Sequence, residues 1–189
     1  MIARSVLLLA AVVPLLLAAG AARADMALFG AYWNNVARAA AANDAAKVRE
    51  MVGEASPNQV DDQGRTGLQI AATNGNLQIA AILIKAGANL DLKDKLGNTA
   101  LHLASDRNQV EMAQLLIDVG ASLDADNRNG MTPLMVAASR GNAAIVQALL
   151  AKGANPRKTD FTGRDALSWA NDSRRPAVVQ LLQRAASKR

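Results

Sequence analysis

From residue 64 to residue 182 the apolar residues fall into a repeating two-part pattern. A first cluster carries Leu and Ala, as at Leu68 and Ala71; a second places apolar residues at i, i+3 and i+4, as at Ile79, Ile82 and Leu83. The second spacing lines one side of an α-helix, and each cluster predicts a short helix with its apolar face turned inward. Polar and glycine positions mark the ends. Thr66, Thr99 and Thr132 stand where a helix N-cap belongs, and Pro133 takes a first helical position. Gly75 and Gly141 allow a turn with positive φ between the helices, and Asn108 tolerates one. Gly87, Gly120 and Gly153 stop the second helix in the left-handed C-cap conformation. About ten polar-rich residues then lead to the next unit, enough for an extended hairpin.

The pattern has a fixed period. Gly64, Gly97, Gly130 and Gly163 are 33 residues apart, and the segments after them align without a gap. Thr66-Gly67-Leu68-Gln69, Thr99-Ala100-Leu101-His102, Thr132-Pro133-Leu134-Met135 and Asp165-Ala166-Leu167-Ser168 are in register. So are the pairs Gly87-Ala88, Gly120-Ala121 and Gly153-Ala154. One such helix pair cannot bury its apolar faces alone, so neighbours must stack into an all-α repeat solenoid. The period, the Thr-Pro-Leu-His-like segments and the Gly-Ala pairs resemble the ankyrin repeat family over roughly residues 28–189. The resemblance implies paired antiparallel helices joined by β-hairpin-like loops. Departures are local: only Pro133 and His102 keep the Pro and His of the motif, Asp165 replaces its Thr, and Arg174 replaces the mid-unit Gly.

This phase gives five units: a capping unit at 25–60, repeats at 61–93, 94–126 and 127–159, and a second cap at 160–189. The first is degenerate. Aligning Asp44 with Gly75 puts Val48, Met51 and Val52 in phase with Ile79, Ile82 and Leu83, with a connection two residues shorter than the others. Phe29, Tyr32 and Trp33 are expected to cover the open end there, and Trp169 is expected in the core of the last unit. Terminal repeats need a polar outer face, which Arg174, Arg175 and Arg184 supply. A capped stack needs no second copy, so a monomer is expected.

Residues 1–24 read differently, as a secretory signal peptide. Arg4 is followed by an uncharged apolar run from Val6 to Ala19 and by the cleavage motif Ala22-Arg23-Ala24 before Asp25. An uncleaved anchor is the competing reading, but the run is short for a span of about 20 residues. Export of this kind predicts a periplasmic location in a Gram-negative bacterium.

Composition narrows the chemistry. Hydrophobic residues at 51% of 189 exclude a disordered chain, and aromatics at 3% leave little for a cofactor pocket or base stacking. Cysteine is absent and His102 is the single histidine, so thiolate catalysis, disulfides and multi-histidine metal sites fall away. There is no Ser-His-Asp set and no phosphate loop. The hairpin acids Asp61, Asp62, Asp91, Asp94, Asp124 and Asp126 lack the regular spacing of a calcium loop and are assigned turn and cap hydrogen bonds. No enzyme, cofactor or metal is expected. His102, at the motif position, is assigned hydrogen bonds between neighbouring turns, as the resemblance implies.

The resemblance also implies partner contacts at the hairpin tips and on the exposed face of the first helices. Mapped here, these positions include Asp62, Gln63, Arg65 and Asn74; Lys95, Leu96, Asn98 and Arg107; Arg128, Asn129, Met131 and Arg140; and Phe161, Thr162 and Arg164. Leu96, Met131 and Phe161 are apolar where exposure is expected, ringed by arginines, as in an interaction hot spot. Six basic residues there against Asp62, Asp106 and Asp172 suggest a positive face for a partner with an acidic surface. The expected function is a non-catalytic protein-binding module. The alternative is an anion binder, acting on a membrane surface, lipopolysaccharide or nucleic acid, because residues 152–189 hold nine basic residues against three acidic ones. The lack of interleaved aromatics counts against nucleic acid. Edman sequencing of the exported protein is expected to begin at Asp25; an intact Met1 would overturn cleavage.

Overall fold

The computed structural model describes residues 35–187. Residues 1–24, read from the sequence as a signal peptide, and Phe29, Tyr32 and Trp33 lie outside the described residues. From Val36 onward the chain forms ten helices in five pairs: α1 (Val36–Ala41) with α2 (Ala45–Met51), α3 (Gly67–Asn74) with α4 (Leu77–Lys85), α5 (Ala100–Asp106) with α6 (Val110–Asp118), α7 (Pro133–Arg140) with α8 (Ala143–Ala151), and α9 (Ala166–Asp172) with α10 (Pro176–Ser187). The first helices stack α1–α3–α5–α7–α9, and the second helices form a parallel layer behind them. Small buried residues, among them Ala71, Ala72, Ala104, Ala137 and Ala138, let the first helices approach more closely than the second. The first-helix layer is therefore the concave side. Leu68, Leu101 and Leu134 with Ile79, Leu83, Met112, Leu116, Ile145 and Leu149 fill the space between the layers.

Local chemistry fixes where each helix begins and ends. Thr66 and Thr132 cap α3 and α7 by accepting the N–H of Gln69 (3.2 Å) and Met135 (3.3 Å). Asp165 does the same for α9, accepting from Ser168 N–H at 2.8 Å, so the departure from Thr leaves the cap intact. The Gly-Ala pairs end the second helices. Gly87, Gly120 and Gly153 take φ of 82°, 92° and 96°. The N–H of the adjoining Ala88, Ala121 and Ala154 then reaches back to the carbonyls of Leu83, Leu116 and Leu149, burying the alanine methyl.

Two sequence expectations are corrected. In the first unit the left-handed residue is Asn43 (φ 59°), not Asp44, so Asn43 is the counterpart of Gly75. Asp44 instead caps α2 by accepting Lys47 N–H (2.9 Å), a task a carboxylate does well beside a helix N-terminus. Val48 and Met51 therefore share the phase of Ala80 and Leu83, and the first connection is one residue short, not two.

The connections are tight, β-hairpin-like turns: the N–H groups of Asp61, Asp94, Asn127 and Asp160 each donate to the carbonyl four residues ahead at 2.9–3.0 Å, and among the described residues the one bridge pair outside these turns is Val60 with Thr66. A side chain reinforces each turn. Asp61, Asp94, Asn127 and Asp160 each turn Oδ1 onto the N–H groups two and four residues ahead, at 2.8–3.1 Å. Successive loops then touch directly: Arg128 N–H donates to Leu96 O (3.0 Å) and Phe161 N–H to Asn129 O (3.2 Å). Gly97 and Gly130 permit this, since a Cβ there would lie 2.6 and 2.7 Å from those two nitrogens.

One buried group has no partner. Ser105 Oγ, at the position of Ala72 and Ala138 in neighbouring units, is fully enclosed without a hydrogen bond among the described residues. Removing it relieves an unmet desolvation penalty, so Ser105→Ala is expected to stabilise the fold by about 1 kcal/mol in urea unfolding.

Candidate partner-binding face

The concave side carries a groove of about 680 Å³, with Leu96, Leu103, Met131, Val136 and Trp169 as its apolar lining and Gln63, Arg65, Asn98, Arg107 and Arg140 among its polar residues. A smaller depression of about 230 Å³ adjoins it, lined by Arg128, Asn129, Phe161, Thr162 and Arg164 and sharing Met131 and Trp169. Of the positions expected to meet a partner, all but Asp62, Asn74 and Lys95 line one or the other. Asp62 is drawn aside by Arg38 (2.8 Å), and Lys95 lies over the preceding loop with Nζ on Asp62 O (2.7 Å).

Exposure of the three expected anchors is uneven. Leu96 is 66% and Phe161 77% exposed, far more than large apolar side chains in a packed fold. Met131 is half-buried against the core, which corrects the expectation of a free anchor. Phe161 has a structural edge as well, because its ring lies against Gly130.

Leu103, Val136 and Trp169 repeat at 33 residues; of these only Trp169 was singled out from the sequence, and as a core residue. A search for the one position per unit that faces the groove from within the first helix would have found them. Trp169 is likewise not the core residue expected. It is half-exposed, its indole Nε1–H donating to Asp160 Oδ2 (3.0 Å), with the Arg164 guanidinium 3.7 Å above the ring. A tryptophan is too large for the space its smaller counterparts fill, and the polar end of its ring needs an acceptor.

The positive face is corrected too. Arg65 pairs with Asp61 (2.8 Å), Arg140 and Arg107 both with Asp106 (2.7 and 3.5 Å), and Arg164 with Asp172 and Asp160 (3.5 and 3.7 Å). Asp61 and Asp160 in the loops, with Asp106 and Asp172 at the ends of α5 and α9, neutralise the arginines beside them. Burial would raise the Asp160 carboxyl, but bonds from Thr162, from the Arg164 and Thr162 N–H groups and from Trp169 hold it below its ordinary value. At Asp61 burial is likewise outweighed, there by Arg65 and by Gln63 N–H. The face is a mixed polar surface around an apolar floor.

Beneath it, two side chains tie units together. His102 Nε2 meets the Met131 carbonyl at 2.9 Å, so that nitrogen carries the proton and Nδ1 accepts from Thr99 N–H (3.2 Å). Gln69, not singled out from the sequence either, holds the same place one unit earlier. It accepts Thr66 N–H at 2.7 Å and donates to Leu92 O and Asn98 O, both at 2.8 Å. Neither arrangement offers a nucleophile or a ligand set, and no cluster of metal-binding side chains exists among the described residues.

Stacked helix pairs, Gly-Ala caps and inter-unit ties define a helical repeat solenoid with a concave binding face. A family model of ankyrin repeats in three copies matches residues 36–127 and 120–188, and the chain belongs to that family. It is similar to the E3 ubiquitin-protein ligase MIB2 of Gallus gallus, 48% identical over 58 residues, which is 30% of this chain. The chain spans 6% of that relative's length, so the likeness is to a stretch of repeats. Ankyrin repeats mediate protein–protein contacts and are typically non-catalytic.

Burial lowers the pKa of His102, with the Met131 hydrogen bond opposing and Lys93 adding to the fall. Its unfolded value is near 6.5, so the neutral ring's stabilisation is complete above that pH and is lost as pH falls toward the lower folded value. Melting temperature should therefore fall as pH drops below about 6.5. His102→Gln, which copies Gln69, should flatten that drop; an unchanged slope would refute it.

Proposed function

We propose that the chain is a non-catalytic interaction module of the bacterial periplasm, serving a periplasmic protein as scaffold, inhibitor or accessory factor through its concave face. The observation that carries this reading is the run of half-exposed apolar side chains, Leu103, Met131 and Trp169, flanked by Leu96 and Phe161. Apolar side chains left open to water in an otherwise filled fold favour a partner that covers them. The ion pairs around the groove add direction. A carboxylate on the partner, exchanging with Asp106 for Arg107 and Arg140, fixes register once the apolar contact forms.

The groove is built on helices tied by short loops, so it is preorganised and loses little freedom on binding. That suits a module whose task is to hold another protein. The signal sequence supports the periplasmic location, which rests on residues 1–24 alone.

The test is crosslinked capture from the exported fraction, read by mass spectrometry. Leu96→Ala with Phe161→Ala is compared with a convex-side control, Leu77→Ala with Val119→Ala, whose residues are also exposed. Loss of two anchors is expected to weaken binding by roughly thirtyfold. A protein captured by wild type and control but lost by the concave variant supports the reading. Equal capture by all three would sink it.

A further inference from the structure

The last unit breaks two local rules that the other four obey, at adjacent positions and each time with an arginine. The left-handed residue between the helices is Asn43, Gly75, Asn108 and Gly141 in the first four units, and Arg174 (φ 53°) in the fifth. Glycine takes that conformation freely and asparagine tolerates it, whereas a long side chain is strained there. The next residue opens the second helix. It is Asp44, Asn76, Gln109 and Asn142 in turn, then Arg175. Each polar residue either caps its helix or bonds to the preceding unit. Arg175 makes no such hydrogen bond among the described residues, its stem lying over Gly141 of the preceding unit, and both cations sit at the positive end of the α10 dipole. Local strain kept against the fold's own pattern marks a position selected for something else.

Charge points the same way. Several basic residues near the C-terminus are already committed: Lys152 to Asp118, Lys158 to Asp126 and Arg164 to Asp172. Arg174, Arg175 and Arg184 are exposed and form no ion pair among the described residues. Residues 173–189 contain no acid at all. Apolar side chains lie between these cations. Pro176 and Val179 share a depression with Arg174 and Arg175, while Leu181 and Ala185 share another with Arg184. No aromatic ring stands among them for bases to stack on. Cations interleaved with short apolar side chains at the end of a stack, free of acids, complement a phospholipid surface. Phosphate attracts the guanidinium groups, and the apolar atoms meet the interface.

We infer that the terminal unit, through Arg174, Arg175 and Arg184 on and beside α10, docks the solenoid on an anionic phospholipid surface. The concave groove, which shares no lining residue with these depressions, stays open to a partner. The inference is independent of which protein that groove holds.

The experiment separates the two effects of the arginines. Protein expressed from the full sequence is sedimented with vesicles of phosphatidylcholine alone, or mixed equally with phosphatidylglycerol, at low salt. Arg174→Gly with Arg175→Asn copies this chain's own second and fourth units. The double variant is expected to melt at a higher temperature than wild type, yet to bind the anionic vesicles roughly thirtyfold more weakly, with each cation contributing about fivefold. Wild-type binding should fall as salt shortens the screening length from about 10 Å toward 3 Å. Equal binding to neutral vesicles, no sedimentation, or undiminished binding by the variant would overturn the inference. So would a single-stranded oligonucleotide that strips the protein from vesicles at equal phosphate, which would make nucleic acid the ligand. A variant less stable than wild type would remove the trade-off on which it rests.

Discussion

Short loops are the constraint that the solenoid has to solve, and one side-chain oxygen per loop, beside the backbone bonds across the turn, solves it. A tight connection leaves backbone N–H groups facing nothing, and such groups are costly to bury. Asp61, Asp94, Asn127 and Asp160 each place Oδ1 where two of these N–H groups converge. With the loop closed in that way, the next helix begins at a fixed angle and its threonine or aspartate cap falls into place. The concave groove inherits its shape from the same bonds, because its rim residues lie within or beside those loops. Arg65 shows how far the economy goes. Its backbone N–H helps close the loop, while its guanidinium pairs with the other oxygen of the same carboxylate.

Much of this was legible in the sequence because it depends on local chemistry that repeats. Glycines at fixed intervals, threonine before an apolar run and a Gly-Ala pair after one each have a single conformational meaning. The degenerate first unit was harder: asparagine and aspartate stand side by side at 43 and 44, and either can take a turn position. What decided between them was the capping bond, which the alignment of apolar residues does not reveal. The fate of Met131 was hidden for another reason, since its exposure depends on how closely the next loop folds over it.

The face itself was the least legible part. Its charge could be counted but not paired, and pairing is what removes the apparent positive field. Arg140 and Asp106 are 34 residues apart in the chain yet 2.7 Å apart in space, a consequence of stacking one unit on the next. Trp169 was misread because a large aromatic in a core-like pattern suggests burial. Its indole N–H, however, needed an acceptor, and Asp160 supplied one at the edge of the groove. The row to which it belongs, with Leu103 and Val136, is visible in the spacing once the groove is known.

Met135 has a consequence of a different kind. It holds the place of Gln69 and His102, but a thioether has no proton to give, so its sulfur faces only the Thr132 N–H within its own unit. Between the third and fourth units the polar ties include His102 to Met131, Asn142 to Ser105 and Arg140 to Asp106; across the last junction Phe161 N–H to Asn129 O stands alone among the described hydrogen bonds. In a one-dimensional array, where stability is the sum of units and their couplings, such a junction draws its coupling from packing more than from polar ties. Apolar contact between α7 and α9 still holds it. The terminal unit is thus coupled to the stack by apolar packing and one backbone hydrogen bond, where the junction before it adds side-chain ties as well.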